Sequence, residues 1–138
     1  MICLFLIFCY VSREYTSRIN CSSNLHQIYL ALNNYSVGYA GNYPPVNGAA
    51  GLEILRKNGY LTDYVTCPST KTTQGKNNQE FTEENTDYVY TGGLNQKSDP
   101  KLPLVYDKAK NHGNYFGNVL FVDGTVIVGN PWTANIKK

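Results

Sequence analysis

The chain has 138 residues, a length that suits a single domain. Its formal net charge is +2 and 16% of its residues are charged, so the composition shows neither the basic excess of a nucleic-acid-binding protein nor an acidic run. Tyrosine occurs 12 times, together with abundant asparagine, threonine and glycine, a mixture typical of exported, loop-rich proteins. We therefore expect one small domain without a nucleic-acid partner.

The first 39 residues predict one long α-helix, because neither proline nor glycine occurs before Gly38. Residues 1–11 are apolar or weakly polar on every side. As a helix they would be roughly 16 Å long, about half the hydrocarbon thickness of a bilayer. We therefore interpret them as the end of a longer hydrophobic helix that begins upstream.

From about residue 15 the predicted helix is amphipathic. One stripe repeats at alternating spacings of four and three residues and consists of Cys21, Leu25, Ile28, Leu32 and Tyr35. The opposite side is polar and includes Ser36. A helix of this kind passes from an apolar medium into a packed globular domain. We therefore divide the chain into a membrane or assembly helix, residues 1–39, and a globular head, residues 40–138.

The four cysteines form two groups. Cys3 and Cys9 lie in the apolar run and are expected to act as small hydrophobic residues. Cys21 lies on the apolar stripe, and Cys67 begins a Cys-Pro-Ser turn. A disulfide between these two would close a loop of about 46 residues, contribute roughly 4 kcal/mol and indicate an oxidising compartment. Two buried free thiols are the alternative interpretation.

Beyond the long helix, the sequence predicts a short helix within residues 47–59 and then a small antiparallel sheet. The short helix places Leu52 and Leu55 inward and Glu53 outward. β-Branched and aromatic runs predict strands at residues 87–91, 102–106, 118–122 and 125–128. Asp123-Gly124, between the last two strands, predicts a two-residue type I′ turn with positive φ at both residues. The predicted fold class is α+β, with the long helix packed on the sheet.

Several of these segments occur together, in the same order, in a known family. They are the helix motif of residues 21–35, Tyr43-Pro-Pro, Cys67-Pro-Ser, Leu104-Val-Tyr-Asp, and His112-Gly followed by Asn118-Val-Leu-Phe-Val-Asp-Gly-Thr-Val. From about residue 13 to residue 128 the chain resembles the pseudopilin-like proteins with a prepilin-type N-terminal helix that occur in planctomycete- and lentisphaera-type bacteria. This family is related to the type IV pilins and to the major pseudopilin of type II secretion.

The resemblance implies a pilin-like fold and a non-catalytic structural subunit of a type II secretion or type IV pilus-like filament. The N-terminal helix would anchor in the inner membrane and pack against copies of the chain or sibling pseudopilins, with the head in the periplasm or outside. The family motif corresponds to His112, Asp123 and Gly124, for which the resemblance implies structural roles. Ten residues separate the histidine from the aspartate here, against nine in the family motif.

His112, Asp107 and Asp123 form the one group of residues whose types suggest a metal site or an acid–base pair. A histidine beside glycine and asparagine is more often a satisfied loop residue than a ligand. The sequence contains no nucleophile elbow, zinc-protease helix or phosphate loop. We therefore expect no catalysis and no resident cofactor, although the major pseudopilins of type II secretion hold calcium in a C-terminal loop.

A second interpretation stays open, namely a membrane-tethered or secreted binding module that recognises a glycan or a protein. Its binding surface would combine the polar loop of residues 69–86 with a tyrosine-rich face. The tyrosines of that face are Tyr39, Tyr43, Tyr60, Tyr64, Tyr88, Tyr90 and Tyr115. Aromatic residues of a small sheet can equally pack into its core.

Overall fold

A long N-terminal helix packs on a small antiparallel sheet in the computed structural model, which describes residues 1–72, 79–109, 111–113 and 116–130. The helices are α1 (Ile2–Gly38) and α2 (Ala49–Lys57), and the strands are β1 (Tyr88–Tyr90), β2 (Pro103–Asp107), β3 (Val119–Phe121) and β4 (Val126–Ile127). This arrangement confirms the predicted α+β fold. Tyr115 and part of the predicted polar loop, residues 73–78, lie outside the described residues.

The strands form one sheet in the order β1-β2-β3-β4, and its neighbouring strands are antiparallel. The pairing of β2 with β3 shifts register between Pro103 and Val105, where proline has no N–H to donate to the ladder. α1 packs on β3 and β4, and α2 packs on β1. A small sheet of such short strands needs a covered face to be stable, so the two helices complete the head.

The apolar stripe of α1 lies in the hydrophobic core. Cys21, Leu25, Ile28 and Leu32 are fully buried, and Tyr35 is 5% exposed. The same core cluster takes residues from α2 and from the sheet, so it draws on both sides of the predicted boundary between residues 39 and 40. Burying one large aliphatic side chain contributes roughly 1.5–3 kcal/mol. The stripe is therefore the main apolar cover of the sheet.

Two polar residues that the helical pattern placed on outward faces are buried, so that part of the prediction is wrong. Ser36 is fully buried; its Oγ donates to the carbonyl of Asn33 at 2.7 Å and accepts from Nε2 of Gln96 at 2.9 Å. Glu53 is 5% exposed and accepts from the backbone N–H of Phe81 at 2.8 Å. Each buried polar group has hydrogen-bond partners, which makes its burial tolerable.

The hairpin between β3 and β4 has a three-residue loop, and the predicted two-residue type I′ turn is wrong. The N–H of Phe121 donates to the carbonyl of Thr125, and the N–H of Gly124 donates to the carbonyl of Phe121, both at 2.9 Å. Of the loop residues Val122, Asp123 and Gly124, only Gly124 has a positive φ, +86°. A type I turn followed by one left-handed residue is the usual three-residue hairpin connection.

The N-terminal end of α1 extends beyond the head, because residues 1–13 are all exposed. Its apolar side chains are 46–106% exposed and belong to Met1, Ile2, Leu4, Phe5, Leu6, Ile7, Phe8, Tyr10 and Val11. Within the described part of the chain, no helix combines the length and the apolar character that crossing a membrane requires. The protein therefore presents a continuous apolar helix end to its surroundings.

We predict that Ile28→Ala lowers the free energy of unfolding by about 2–5 kcal/mol, because it leaves a cavity between α1 and the sheet. Leu30→Ala is the matched control, since Leu30 lies on the same helix and is 55% exposed; its effect should stay within about 0.5 kcal/mol. Urea unfolding followed by circular dichroism measures both. Equal effects of the two substitutions would contradict the packing of this stripe on the sheet.

A second prediction concerns Gly124, where a Cβ would lie 2.6 Å from the ring of Tyr29. Gly59 has a similar φ, +78°, but a Cβ there meets no atom within 4 Å. Gly59→Ala should therefore lose about 1–2 kcal/mol, the cost of the left-handed conformation alone. Gly124→Ala should lose roughly 1–3 kcal/mol more, because the ring of Tyr29 must shift. Equal losses in urea unfolding would show that the close approach does not constrain the hairpin.

Candidate functional site

Four segments of the chain meet at His112, in the loop between β2 and β3. They supply Glu14 from α1, Ser69 from the Cys-Pro-Ser turn, Asp107 from the end of β2, and His112 itself. We call these four residues the His112 cluster. The side chains of His112 and Asp107 have no solvent exposure, and that of Glu14 is 13% exposed. The cluster is thus a buried polar joint between the long helix and the head.

The imidazole of His112 lies between two carboxylates. Its Nε2 is 2.8 Å from Oδ2 of Asp107, and its Nδ1 is 2.7 Å from Oε1 of Glu14. Ser69 Oγ lies 3.0 Å from the same Nδ1 and donates to Oε1 of Glu14 at 3.0 Å. Because each carboxylate can only accept, the arrangement favours a ring that donates from both nitrogens.

The environment of His112 raises its pKa above the ordinary value of 6.5. Burial is the largest single influence and favours the neutral ring. The hydrogen bonds and negative charges of Asp107 and Glu14 act in the opposite direction and together outweigh burial. The protonated imidazole is therefore stabilised where it sits between the two carboxylates.

A disulfide joins Cys21 of α1 to Cys67 of the turn, with the two Cα atoms 5.4 Å apart. The sequence left open a disulfide or two buried free thiols, and the structure contains the disulfide. The sulfur of Cys67 lies 3.6 Å from Nε2 of His112, and the hydroxyl of Tyr88 donates to the sulfur of Cys21 at 3.3 Å. Cys3 and Cys9 are free and exposed. The disulfide and the His112 cluster are thus parts of one joint.

Asp87 fixes the turn that carries Cys67 and Ser69. Its Oδ2 accepts from the backbone N–H of Cys67 at 2.7 Å and from the hydroxyl of Thr70 at 2.6 Å. Its Oδ1 accepts from the hydroxyl of Thr72 at 2.7 Å. This single buried carboxylate therefore sets the conformation of the turn.

Asn118, next to β3, connects three parts of the site. Its backbone N–H donates to Oδ2 of Asp107 at 2.7 Å, and its side-chain amide donates to the backbone carbonyl of Arg18 in α1 at 2.9 Å. Its side-chain oxygen accepts from the N–H of Gly129 at 3.2 Å. Asn118 thus orients the carboxylate of Asp107 and ties α1 to the sheet.

Asp123 lies apart from this site. It is exposed in the β3–β4 loop, where its Oδ1 accepts from the N–H of Thr125 at 2.9 Å. Hydrogen bonds from Thr125 lower the pKa of Asp123. No hydrogen bond joins it to His112 in the described ranges. Of the group His112, Asp107 and Asp123, the structure therefore brings only the first two together, and the motif glycine Gly124 lies in the hairpin loop.

Glu14 and Ser69 are members of the cluster that the sequence analysis did not identify. Glu14 is 98 residues from His112 along the chain, so no local spacing connects them. One signal was available, since Glu14 is the sole acidic residue of α1. Glu14 lies seven residues, about two helical turns, before Cys21, the first buried residue of the stripe, and therefore on the same face of α1.

Asp107, His112 and Ser69 are arranged in series like the acid, base and nucleophile of a hydrolase. Glu14 changes what this series can do. Its carboxylate takes the hydrogen bonds of both Ser69 Oγ and His112 Nδ1, so the serine proton points to Glu14. A ring protonated on both nitrogens has no lone pair with which to act as a base. The geometry therefore favours a structural joint over nucleophilic catalysis.

Among the residues that the structure describes, the side chains best placed to ligate a metal are also in this joint. One ligand atom each from Cys21, Cys67 and His112 lies within 4.8 Å of the other two, and all three residues are buried.

No protein-family model matches the sequence, and no curated protein or solved structure matches it. These comparisons therefore assign no function to the site.

The raised pKa of His112 predicts a pH-dependent contribution to stability. A group whose folded pKa is raised stabilises the fold fully below its unfolded pKa, about 6.5, and loses that contribution as pH rises through the folded pKa. The difference in free energy of unfolding between the wild type and His112→Gln should therefore be larger at about pH 6 than at about pH 9.

Urea unfolding at a series of pH values measures this difference. His26→Gln is the control, because His26 is an exposed histidine on α1; its difference from the wild type should stay within about 0.5 kcal/mol at every pH. A difference for His112→Gln that is constant with pH, or that grows toward alkaline pH, would contradict the charged-imidazole arrangement.

Proposed function

We propose that the chain is a non-catalytic, pseudopilin-like structural subunit of a type II secretion or type IV pilus-like filament. One observation carries this proposal. α1 is a single helix of 37 residues, about 55 Å long, whose C-terminal half lies in the core of the head and whose N-terminal end is apolar and exposed. Such a helix both assembles subunits and displays their heads.

The exposed apolar end of α1 would be stabilised by contact with another apolar surface. Residues 1–11 contain no charged side chain, and large contiguous apolar surfaces on soluble proteins mark interaction sites. Parallel copies of the chain, displaced along a helical axis, would cover each apolar end with the ends of their neighbours. A head-to-tail contact of this kind repeats without closing and therefore builds a filament.

The joint between α1 and the head supports the same role. A subunit in a filament transmits its position to its head through the helix, so the angle between helix and head must be fixed. The Cys21–Cys67 disulfide, the His112–Glu14 contact and the Asn118–Arg18 hydrogen bond all join α1 to the head. A disulfide also suits the oxidising periplasm or cell exterior, where the head would lie.

In this proposal the inner membrane holds the apolar end before assembly. Met1–Val11 would reach roughly 16 Å into the bilayer, about half its hydrocarbon thickness. Arg13 is the first charged residue after this run and would lie at the level of the lipid headgroups. The partners would be copies of this chain or sibling pseudopilins.

The binding-module alternative has less support from the tyrosines. Tyr43, Tyr88 and Tyr90 are buried in the core and cannot contact a ligand. Tyr39 is 44% exposed but stacks on Tyr35, with ring centroids 4.0 Å apart and planes 6° from parallel. Burial thus removes three of the seven tyrosines of the predicted binding face, while Tyr60 and Tyr64 are 37% and 45% exposed and Tyr115 lies outside the described residues.

Replacing three exposed apolar residues tests the filament. Sedimentation velocity and negative-stain electron microscopy compare the wild type with the triple variant Leu4→Ser/Phe5→Ser/Phe8→Ser in detergent-free buffer. If each side chain contributes about 1.5 kcal/mol on burial, the three together contribute about 4.5 kcal/mol, and assembly of the variant should need roughly a thousandfold higher protein concentration. Thermal unfolding of the head should not change.

The matched control is Ile19→Ser/Leu30→Ser/Val37→Ser, since these residues are also exposed on α1 but lie alongside the head. It should assemble like the wild type. A wild type that stays monomeric at all concentrations, or a variant that assembles equally well, would contradict the proposal. A wild type that binds phosphatidylglycerol vesicles only as a monomer would favour the membrane-tethered module instead.

A further inference from the structure

We propose that the joint between α1 and the head is also a zinc site when its disulfide is reduced. The ligands would be Cys21 of α1, Cys67 of the Cys-Pro-Ser turn and His112 of the β2–β3 loop, whose ligand atoms lie within 4.8 Å of one another, with Asp107 of β2 as the fourth ligand. Zinc and the disulfide would be two alternative ways of closing the same joint. This inference does not depend on filament assembly.

One distance between ligand atoms already suits a tetrahedral zinc ion, whereas the sulfurs of Cys21 and Cys67, bonded to each other in this structure, would separate on reduction. Zinc bonds of about 2.3 Å to sulfur and about 2.0–2.1 Å to nitrogen place the two ligand atoms about 3.5 Å apart. Cys67 Sγ and His112 Nε2 are 3.6 Å apart. Asp107 Oδ2 is 2.8 Å from Nε2, the length of a hydrogen bond, and would move about 0.5 Å away when a metal replaces the proton.

The other nitrogen of His112 already has the partner that a metal-bound histidine requires. Zinc-ligating imidazoles almost always donate their second N–H to a carboxylate or a carbonyl, which fixes the tautomer and the ring orientation. Nδ1 of His112 is 2.7 Å from Oε1 of Glu14. This contact leaves Nε2, the nitrogen facing Cys67 and Asp107, as the ligand atom.

Asp107 has acceptor capacity that the surrounding protein does not use. Its side chain is fully buried, and its Oδ2 accepts from the N–H of Asn118 at 2.7 Å. Across the ranges that the structure describes, its Oδ1 has no hydrogen-bond partner. A buried carboxylate with an unpaired oxygen is costly, and the positive charge of a metal ion bound at Oδ2 would offset the charge of this carboxylate.

Loading the site requires a defined sequence of bond changes. A dithiol reductant gives two electrons and two protons to the Cys21–Cys67 bond, the S–S bond breaks, and the dithiol closes to its own disulfide. Zn²⁺ then displaces the protons of the two thiols and the proton between His112 and Asp107, and these protons go to solvent. Cys67 lines a cavity of about 440 Å³, the side from which reductant and metal would reach its sulfur.

The consequence is a joint that is closed in both redox states. Under oxidising conditions a covalent bond fixes α1 to the turn that carries Cys67. Under reducing conditions a bound zinc ion would hold the same elements. Thiol–disulfide exchange with a small-molecule disulfide would form the Cys21–Cys67 bond, reduce that disulfide to two thiols and release Zn²⁺. The head would therefore keep its attachment to α1 before and after export to an oxidising compartment.

The test compares reduced and oxidised full-length protein. A phosphine reductant opens the disulfide without competing for zinc as a dithiol would, and zinc chloride is titrated by calorimetry in competition with a chromophoric chelator. We expect one zinc ion per reduced chain and none per oxidised chain. Cobalt(II) in place of zinc should give the charge-transfer band of thiolate–cobalt bonds and the visible bands of tetrahedral cobalt.

Variants separate this site from other thiols. Glu14→Gln should weaken zinc binding by about 10–100-fold, and His112→Gln should weaken it further. The control is Cys3→Ser/Cys9→Ser, which removes the free, exposed cysteines and should bind zinc like the wild type. Circular dichroism of each reduced variant checks that the variant is folded. The cobalt spectrum is measured on the wild type, so that measurement tests the proposal even where a variant does not fold.

Three results would overturn the proposal. The first is a reduced wild type that binds zinc no more tightly than Cys21→Ser/Cys67→Ser. The second is equal binding by the oxidised protein, which would place the metal on other ligands. The third is a cobalt complex of the reduced wild type without a thiolate charge-transfer band.

Discussion

The fold depends on burying one stripe of α1 against a sheet that is too small to stand alone. β1 and β3 have three residues each and β4 has two, so the strands by themselves bury little apolar surface. Cys21, Leu25, Ile28 and Leu32 supply the missing core from the helix side. The apolar stripe begins at Cys21, polar contacts of Glu14 and Arg18 extend the attachment toward the N-terminus, and the helix is exposed throughout over residues 1–13.

Polar contacts fix the helix at the level where it leaves the head. Hydrophobic burial is non-directional, so apolar packing alone allows the helix to slide or rotate. The disulfide at Cys21, the Glu14–His112 ion pair and the bond from Asn118 to the carbonyl of Arg18 act at defined atoms. Buried ion pairs add little net stability, and specifying one arrangement is their best-supported use. The cluster therefore sets the orientation that an assembled subunit would need.

Buried tyrosines of this small core have hydrogen-bond partners for their hydroxyl groups. The Tyr43 hydroxyl donates to Asn33 Oδ1 at 3.1 Å, and the Tyr90 hydroxyl donates to the carbonyl of Pro44 at 2.7 Å. Burial raises the pKa of Tyr43 to about 12 and raises that of Tyr90 as well. Core packing therefore accounts for part of the high tyrosine content, because Tyr35, Tyr43, Tyr88 and Tyr90 are buried, whereas Tyr10, Tyr15, Tyr39, Tyr60 and Tyr64 are 37–65% exposed.

Local patterns in the sequence determined the helices and strands, because these signals arise within a few residues. The 3.6-residue stripe from Cys21 to Tyr35 predicted α1, and β-branched runs predicted the strands. The tertiary structure alone decided the contacts. Glu14 meets His112 across 98 residues, and Ser36 and Glu53 turn inward because Gln96 and Phe81 reach them from distant segments. It also decided the hairpin loop, where Asp-Gly fits more than one turn type and the strand pairing selected the three-residue form. Long-range partners leave no periodic trace in the chain, so the core and the grouping of His112 with Asp107 were predictable, and the addition of Glu14 and Ser69 to that pair was not.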